Sequence, residues 1–238
     1  MEEDMEARME RIFKYLRLPD FATILNALFG VAAIFLILQD RNEALQAAIL
    51  ILLGAMMDGL DGLLARKVEY GILGANLDSL ADLITFGLAP AALCYVVLSN
   101  ILIAIFAAFF LICGMLRLAR FNILPKSEGF TGMPITAAGV FIALYVLAFN
   151  NSDIFKFIIP LLLLLSFLMV SRIPYPKIRD RRLLVLFGAI FASTAAGFYL
   201  NLKVLNTQLF ALSSYILLTL MALYILIPIA WRTLHYER

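Results

Sequence analysis

Met56–Met57–Asp58–Gly59–Leu60–Asp61–Gly62–Leu63–Leu64–Ala65–Arg66 and, after a short link, Gly74–Ala75–Asn76–Leu77–Asp78–Ser79–Leu80–Ala81–Asp82 decide how this chain is read. The four aspartates lie in or at the ends of long apolar segments. A carboxylate at the centre of a membrane helix costs about 2.5–3.5 kcal/mol on insertion scales, so four would cost on the order of 10 kcal/mol uncompensated. A bound divalent cation is the economical source of compensating charge. On a helix, residues three apart lie about 60° and about 4.5 Å from each other, and residues four apart about 40° and about 6 Å. Asp58 and Asp61 therefore share one face, and Asp78 and Asp82 share another. The link from Ala65 to Asn76 is short, so the two helices are antiparallel neighbours whose acidic faces can converge on one cage. Oxygen-only donors suit Mg²⁺, Mn²⁺ or Ca²⁺, not zinc. Gly59 and Gly62 flank the acids. Glycine inside a helix costs about 1 kcal/mol relative to alanine, and close backbone approach to a ligand would offset it. Arg66 follows at the helix end, placed to meet a phosphate.

The rest of the chain fits a lipid environment. Of 238 residues, 63% are hydrophobic and 15% charged, against about 45–50% and about 25% in soluble domains. Spans need about 20 mostly apolar residues. Eight are expected, at roughly 21–38, 44–65, 77–98, 100–120, 133–149, 154–171, 183–200 and 209–230. Long windows of Leu, Ile, Ala and Phe without strand-like alternation argue for helices, as does the need to satisfy the backbone internally in lipid. The expectation is an all-α polytopic membrane protein. Its single catalytic domain covers 19–238, preceded by an amphipathic interfacial helix over 1–18 that carries Met5, Met9, Ile12, Phe13 and Leu16 at helical spacing. Pro90 lies inside the third span and predicts a kink.

Of the 19 Lys and Arg residues, all but Arg41, Lys156 and Lys203 fall on one side of this plan. By the positive-inside rule both termini are cytoplasmic. The aspartates then open to the cytoplasm from an integral cell membrane protein. No signal-peptide cleavage pattern precedes the first apolar segment. Cys94 and Cys113 lie within apolar runs and read as buried thiols. The single histidine, His235, is in the C-terminal tail, so any general base here is a carboxylate. Nothing points to nucleic acid as a partner.

Asp58-x2-Asp61-Gly62-x2-Ala65-Arg66-x7-Gly74-x3-Asp78-x3-Asp82 resembles the signature of the CDP-alcohol phosphotransferase superfamily in full. The resemblance implies a membrane-embedded site for two divalent cations, Mg²⁺ or Mn²⁺, and a CDP-linked lipid substrate. It implies Asp58, Asp61 and Asp78 as metal ligands, with Asp82 at the metal edge as general base. Gly62, Ala65 and Arg66 would contact the CDP moiety. Further blocks resemble the serine-using members, the phosphatidylserine and archaetidylserine synthases. They are Asp78–Ser79–Leu80–Ala81–Asp82 with Phe86–Gly87–Leu88–Ala89–Pro90, Leu118–Ala119–Arg120–Phe121–Asn122, Phe130–Thr131–Gly132–Met133–Pro134, and Leu168–Met169–Val170–Ser171–Arg172–Ile173–Pro174–Tyr175. Relatives that use phosphorylated acceptors usually carry a basic residue after the last aspartate, where this chain has Leu83. The first span departs from the family's usual Pro-Asn opening: here it is Pro19–Asp20, followed by Thr23 and Asn26.

The implied reaction transfers a phosphatidyl-type group, diacyl or archaeol, from CDP-diacylglycerol or CDP-archaeol to the hydroxyl of L-serine, releasing CMP. No Cys or Ser nucleophile is set up for a covalent intermediate, which favours one direct displacement. Serine brings a carboxylate that needs a cationic partner. Arg117 and Arg120 share a face at the end of the fourth span and are candidates for that carboxylate or the transferred phosphate. Asn122, Lys126 and Arg172 are weaker ones. A serine-binding Arg120 would make Arg120→Lys raise the KM for serine. Spans five to eight read as packing, lipid-facing surface or contact within a homodimer, which the resemblance suggests. Two rival readings stand beside this one: another acceptor, such as glycerol phosphate or inositol phosphate, and a divalent-metal transporter, since intramembrane acids also mark ion paths.

Overall fold

The computed structural model describes residues 16–64, 73–123, 130–149, 157–175, 191–193, 196–197 and 207–235. Helix α1 is Leu18–Gln39, and a 3₁₀ turn, Arg41–Glu43, leads into α2, Ala44–Leu64. The third span is α3 (Gly74–Asp82), a π-helical segment (Leu83–Leu88) and α4 (Ala89–Leu98). Then come α5 (Ile101–Ile123), β1 (Phe130–Thr131), α6 (Ile135–Phe149), α7 (Ile158–Val170), β2 (Pro174–Tyr175) and α8 (Thr207–His235). These elements account for seven of the eight expected spans. The remaining one, 183–200, lies largely outside the described residues, as does the amphipathic helix expected over 1–18.

Five stretches are long and apolar enough to cross a bilayer: Leu18–Gln39, Arg41–Leu64, Gly74–Leu98, Ile101–Ile123 and Leu212–Ala230. Their outward faces carry large apolar side chains, among them Phe35, Leu38, Ile101, Ile105 and Leu116. A soluble protein would not leave so many exposed; here lipid covers them. The chain is an all-α polytopic membrane protein.

Helices α6 and α7 are shorter than expected, at 15 and 13 residues. The cause is local. Pro134 cannot donate a main-chain hydrogen bond, so the helix begins after it. At the other end of the pair, Ser171 turns extended and the chain runs into Pro174. The flanking residues form a two-stranded antiparallel clasp instead, with Phe130 opposite Tyr175 and Thr131 opposite Pro174.

Helix α6 is the centre of the bundle, not a peripheral strut. It is apolar on every side, as a fully surrounded helix must be, and Ile135, Ala138, Ile142, Ala143 and Leu144 are all buried. It packs on α2, α8 and the π segment. Helix α1 lies along α2 and also touches α3 and the π segment.

The π segment is where these helices meet. A π turn carries one extra residue and widens the helix. Here the Ala89 N–H reaches back to the Ile84 carbonyl, and Pro90, with no N–H to give, follows at once. The kink expected at Pro90 is thus a π bulge beginning directly after Asp82. Three glycines on three other helices accommodate it. A Cβ on Gly30 would lie 2.7 Å from Thr85 Cα, one on Gly54 would lie 2.5 Å from Thr85 Cγ2, and one on Gly139 would lie 2.6 Å from Phe86 Cα. At Gly30 and Gly139 the backbones approach too closely for any side chain, and at Gly54 the Thr85 methyl takes the place of one.

Gly139→Ala is therefore expected to overpack the bulge, at a cost of about 1–3 kcal/mol. Thermal unfolding in detergent should show a fall in Tm of several degrees. Gly59→Ala, whose Cβ meets nothing within 4 Å, should not lower it. A Gly139→Ala protein as stable as the parent would contradict the close packing of α6 on the π turn.

Candidate active site

Thr23 and Asp61 fix the antiparallel seam of α1 and α2. The Thr23 hydroxyl donates to Asp61 Oδ2 at 2.8 Å, with both residues buried. Asp20, where the resemblance led us to expect asparagine, caps α1: its Oδ2 accepts from the Arg17 N–H at 2.7 Å. A carboxylate in the first turn also suits the helix dipole.

The end of α2 and the start of α3 bring Asp58, Asp61 and Asp78 together, one carboxylate oxygen from each lying within 4.8 Å of the others. At that separation two unit charges repel by about 3–4 kcal/mol even at an effective dielectric near 20. Asp82, one turn further along α3, is buried, and its Oδ1 has no hydrogen-bond partner among the described residues. A buried acceptor left unpaired costs about 1–3 kcal/mol, more when charged. Thr136 of α6 turns its hydroxyl toward Asp58. Among the described residues, the cation set against these acids is Arg117 of α5, which is buried and interacts electrostatically with Asp58, Asp78 and Asp82. Its guanidinium also lies 5.3 Å from the centre of the Phe121 ring.

Among the described residues, one guanidinium stands against four carboxylates. The arrangement fits divalent cations: oxygens about 2.1 Å from a shared Mg²⁺ lie up to about 4.2 Å apart, close to the spacing of the three acids. Gly59 and Gly62 add to the fit. A Cβ at either would meet nothing within 4 Å, so the α2 backbone beside the acids borders open space where a ligand can approach. Ala65 and Arg66, the other residues expected to contact CDP, lie outside the described residues, as does Lys126.

Arg120 does something other than the sequence suggested. Its Nη1 donates to the carbonyls of Val170 (3.1 Å) and Ser171 (3.2 Å). Its Nη2 donates to those of Thr131 and Met169. All four terminal N–H groups are thereby engaged, since a guanidinium has five in total. The last carbonyls of a helix have no partner within it, and Arg120 supplies one to the end of α7 while tying down β1. Gly132 permits this with a φ of +82°, and a Cβ there would lie 2.3 Å from the Met169 carbonyl oxygen. Gly132 N–H donates to the Ile173 carbonyl at 2.8 Å, and Met133 N–H to Leu168 at 3.0 Å. Tyr175 closes the clasp from beneath, donating to the Ile225 carbonyl. Burial pushes its phenol up to about 12, so it stays a neutral donor. The Phe130–Pro134 and Leu168–Tyr175 blocks are thus one structural unit held by Arg120.

Asn122 is likewise engaged, its Nδ2 donating to Ser79 Oγ at 3.0 Å. Arg172 is exposed. Among the expected anion ligands, Arg117 is the one set among the acids. Thr136 was not anticipated, and a hydroxyl in an otherwise apolar segment was the available signal.

Carboxylates converge inside an apolar helix bundle, with a buried arginine among them and glycine-lined space beside them, and three of them could hold a metal ion. The CDP-alcohol phosphatidyltransferase family profile matches residues 16–174, which contain every one of these groups. The chain is 38% identical over 178 residues to the archaetidylserine synthase of Methanothermobacter thermautotrophicus, covering 71% of this chain and 73% of that one. It is 35% identical over 190 residues to the CDP-diacylglycerol–serine O-phosphatidyltransferase of Methanocaldococcus jannaschii, covering 79% and 88%. The Bacillus subtilis enzyme of the same name is 40% identical over 172 residues, covering 68% and 91%. This chain belongs to the CDP-alcohol phosphatidyltransferase family.

Arg120→Lys should act on stability. Lysine cannot span four carbonyls with a planar fork, and the loss of two or more hydrogen bonds should cost about 1–3 kcal/mol. A lowered Tm with an unchanged serine KM for the folded fraction is expected; a raised KM at unchanged Tm would return Arg120 to the substrate.

Proposed function

We propose that this protein transfers the phosphatidyl-type group of a CDP-lipid to the hydroxyl of L-serine, releasing CMP. The observation that carries the reading is the Asp58–Asp61–Asp78 cluster with the unpartnered Oδ1 of Asp82 directly behind it. The names of the relatives supply the acceptor, and Leu83 agrees, since it puts no cation where a phosphorylated acceptor would want one.

Two divalent cations, Mg²⁺ or Mn²⁺, held by Asp58, Asp61 and Asp78 with Asp82 at their edge, would neutralise the diphosphate and the charge that develops on the leaving oxygen. Thr23 and Thr136 hold Asp61 and Asp58 in place for that role. Gly59 and Gly62 leave the α2 backbone open to the diphosphate, with Ala65 and Arg66 beyond them toward the cytidine. Asp82 Oδ1 accepts the proton of the serine hydroxyl as its oxygen attacks the lipid-side phosphorus. One P–O bond forms, the P–O bond to CMP breaks, and the proton rests on Asp82. Arg117 pairs with the serine carboxylate or with the transferred phosphate. The apolar walls of the bundle keep bulk water from competing as nucleophile.

The Lys and Arg asymmetry supports a cytoplasmic opening for this site in the cell membrane. There the soluble acceptor enters from water and the CDP-lipid from the leaflet. We further propose a homodimer, on family grounds.

Purified protein supplied with CDP-lipid, Mn²⁺ or Mg²⁺ and a panel of alcohols should release CMP fastest with L-serine. Faster release with glycerol phosphate or inositol phosphate would assign another acceptor, and metal flux into liposomes without nucleotide would point to transport. Asp82→Asn should lower turnover by about 10²–10⁴-fold while CDP-lipid binding is retained. Near-normal turnover would remove Asp82 from the base role.

A further inference from the structure

Asn26 is fully buried in α1, and neither its Nδ2 nor its Oδ1 has a hydrogen-bond partner. Together with Asp82 Oδ1, these are the buried side-chain polar atoms left unpaired among the described residues. Their placement is related. Asn26 lies three residues after Thr23, which holds Asp61. Gly54 lies four before Asp58, and Thr85 three after Asp82. Asn26, Gly54 and Thr85 thus form one layer, a single helical turn beyond the acids on each of the three helices.

The contacts confirm the layer. Thr85 Oγ1 donates to the Asn26 carbonyl at 2.8 Å, which occupies the one neighbouring hydroxyl with the main chain. A Cβ on Gly54 would lie 3.0 Å from Asn26 Oδ1 and 2.5 Å from Thr85 Cγ2. The glycine makes room for a carboxamide that no protein group then meets. Buried polar groups in native structures are paired with protein, water or ligand, and Asn26 contacts Thr85, one helical turn along from the proposed catalytic Asp82, whose Oδ1 is also unpaired.

We propose that Asn26 forms the floor of the acceptor subsite and recognises the ammonium group of the amino-acid acceptor. This deepens the reading of the protein as a serine-using transferase and rests on it. A carboxamide oxygen accepts a hydrogen bond without adding charge. It suits an ammonium or hydroxyl and offers nothing to a phosphate that a basic residue would not serve better. Serine then has three recognition points: its carboxylate at Arg117, its hydroxyl at Asp82 and its ammonium at Asn26 Oδ1. Asn26 is a positioning residue. It orients the hydroxyl toward Asp82 and takes no part in bond making.

The test compares wild-type protein with Asn26→Ala and Asn26→Leu, the second keeping the branched shape in case the first fails to fold. Four quantities are measured: equilibrium binding of labelled L-serine in the presence of Mn²⁺, steady-state KM and kcat for L-serine, CDP-lipid binding, and Tm. Glycerate, in which a hydroxyl replaces the ammonium, is run as a competitor of serine binding. The expected result is a serine KM and binding constant weakened about 10- to 100-fold, with kcat changed far less. CDP-lipid binding should be unchanged and Tm shifted by no more than about 3 °C. The preference for serine over glycerate should be lost. An unchanged serine KM overturns the proposal. So does a lowered Tm with intact serine binding, which would make Asn26 the seat of a structural water. Weakened CDP-lipid binding would move Asn26 to the nucleotide side and also overturn it. If the wild-type protein uses another alcohol and ignores serine, the underlying functional reading fails and takes this proposal with it.

Discussion

The repulsion among Asp58, Asp61, Asp78 and Asp82 is the constraint around which the bundle is arranged. Separated by less than 4.8 Å in three of the four cases and half-buried or buried, these acids would drive α2 and α3 apart if nothing lay between them. Among the described residues, one arginine lies among them and two threonines against them, which leaves charge there for a ligand to balance. A capacity to hold cations would thus follow from how the helices pack. Cations held there would in turn suit the diphosphate we propose as ligand, because a doubly charged ion bound by carboxylates still prefers further oxygen ligands.

Holding such a site requires rigidity on every side, and the structure obtains it with backbone contacts instead of bulk. The π turn after Asp82 is enclosed by Gly30, Gly54 and Gly139, each too close for a side chain. Asp82, just before the widened turn, and Thr85, within it, are both buried. On the opposite flank, Arg120 binds the end of α7 to β1, fixing the segment that leads into α6 and therefore Thr136. A residue 50 positions away in sequence from its acceptor Val170 in this way helps to set the position of Asp58.

Much of this was legible in the chain and some was not, for physical reasons. Spacing of three and four residues between aspartates sufficed to place both pairs on facing helix surfaces, because helical geometry leaves little freedom there. The apolar windows sufficed for the five long spans, whereas α6 and α7 came out shorter than their windows. The carbonyl partners of Arg120 could not be foreseen, because a cation at a helix end satisfies the positive-inside pattern whether it faces phosphate, water or carbonyls. Only the folded arrangement shows which carbonyls at the end of α7 lack partners. Pro90 announced a distortion without its type, since a missing N–H is compatible with a kink or a π bulge. The central place of α6 was hidden because lipid and protein interior are equally apolar. Asn26 carried a signal, a polar side chain one turn from Thr23, but its lack of a partner depends on Gly54 and Thr85, which the linear order does not bring to it.

The most direct test of the central claim is to locate Mn²⁺ in crystals of the purified protein by its anomalous scattering, with and without CDP. Density between the carboxylates of Asp58, Asp61 and Asp78, with Asp82 at its border, is the predicted result. A protein that takes up no Mn²⁺ there at millimolar concentrations, or that binds it only elsewhere on the molecule, would contradict the account.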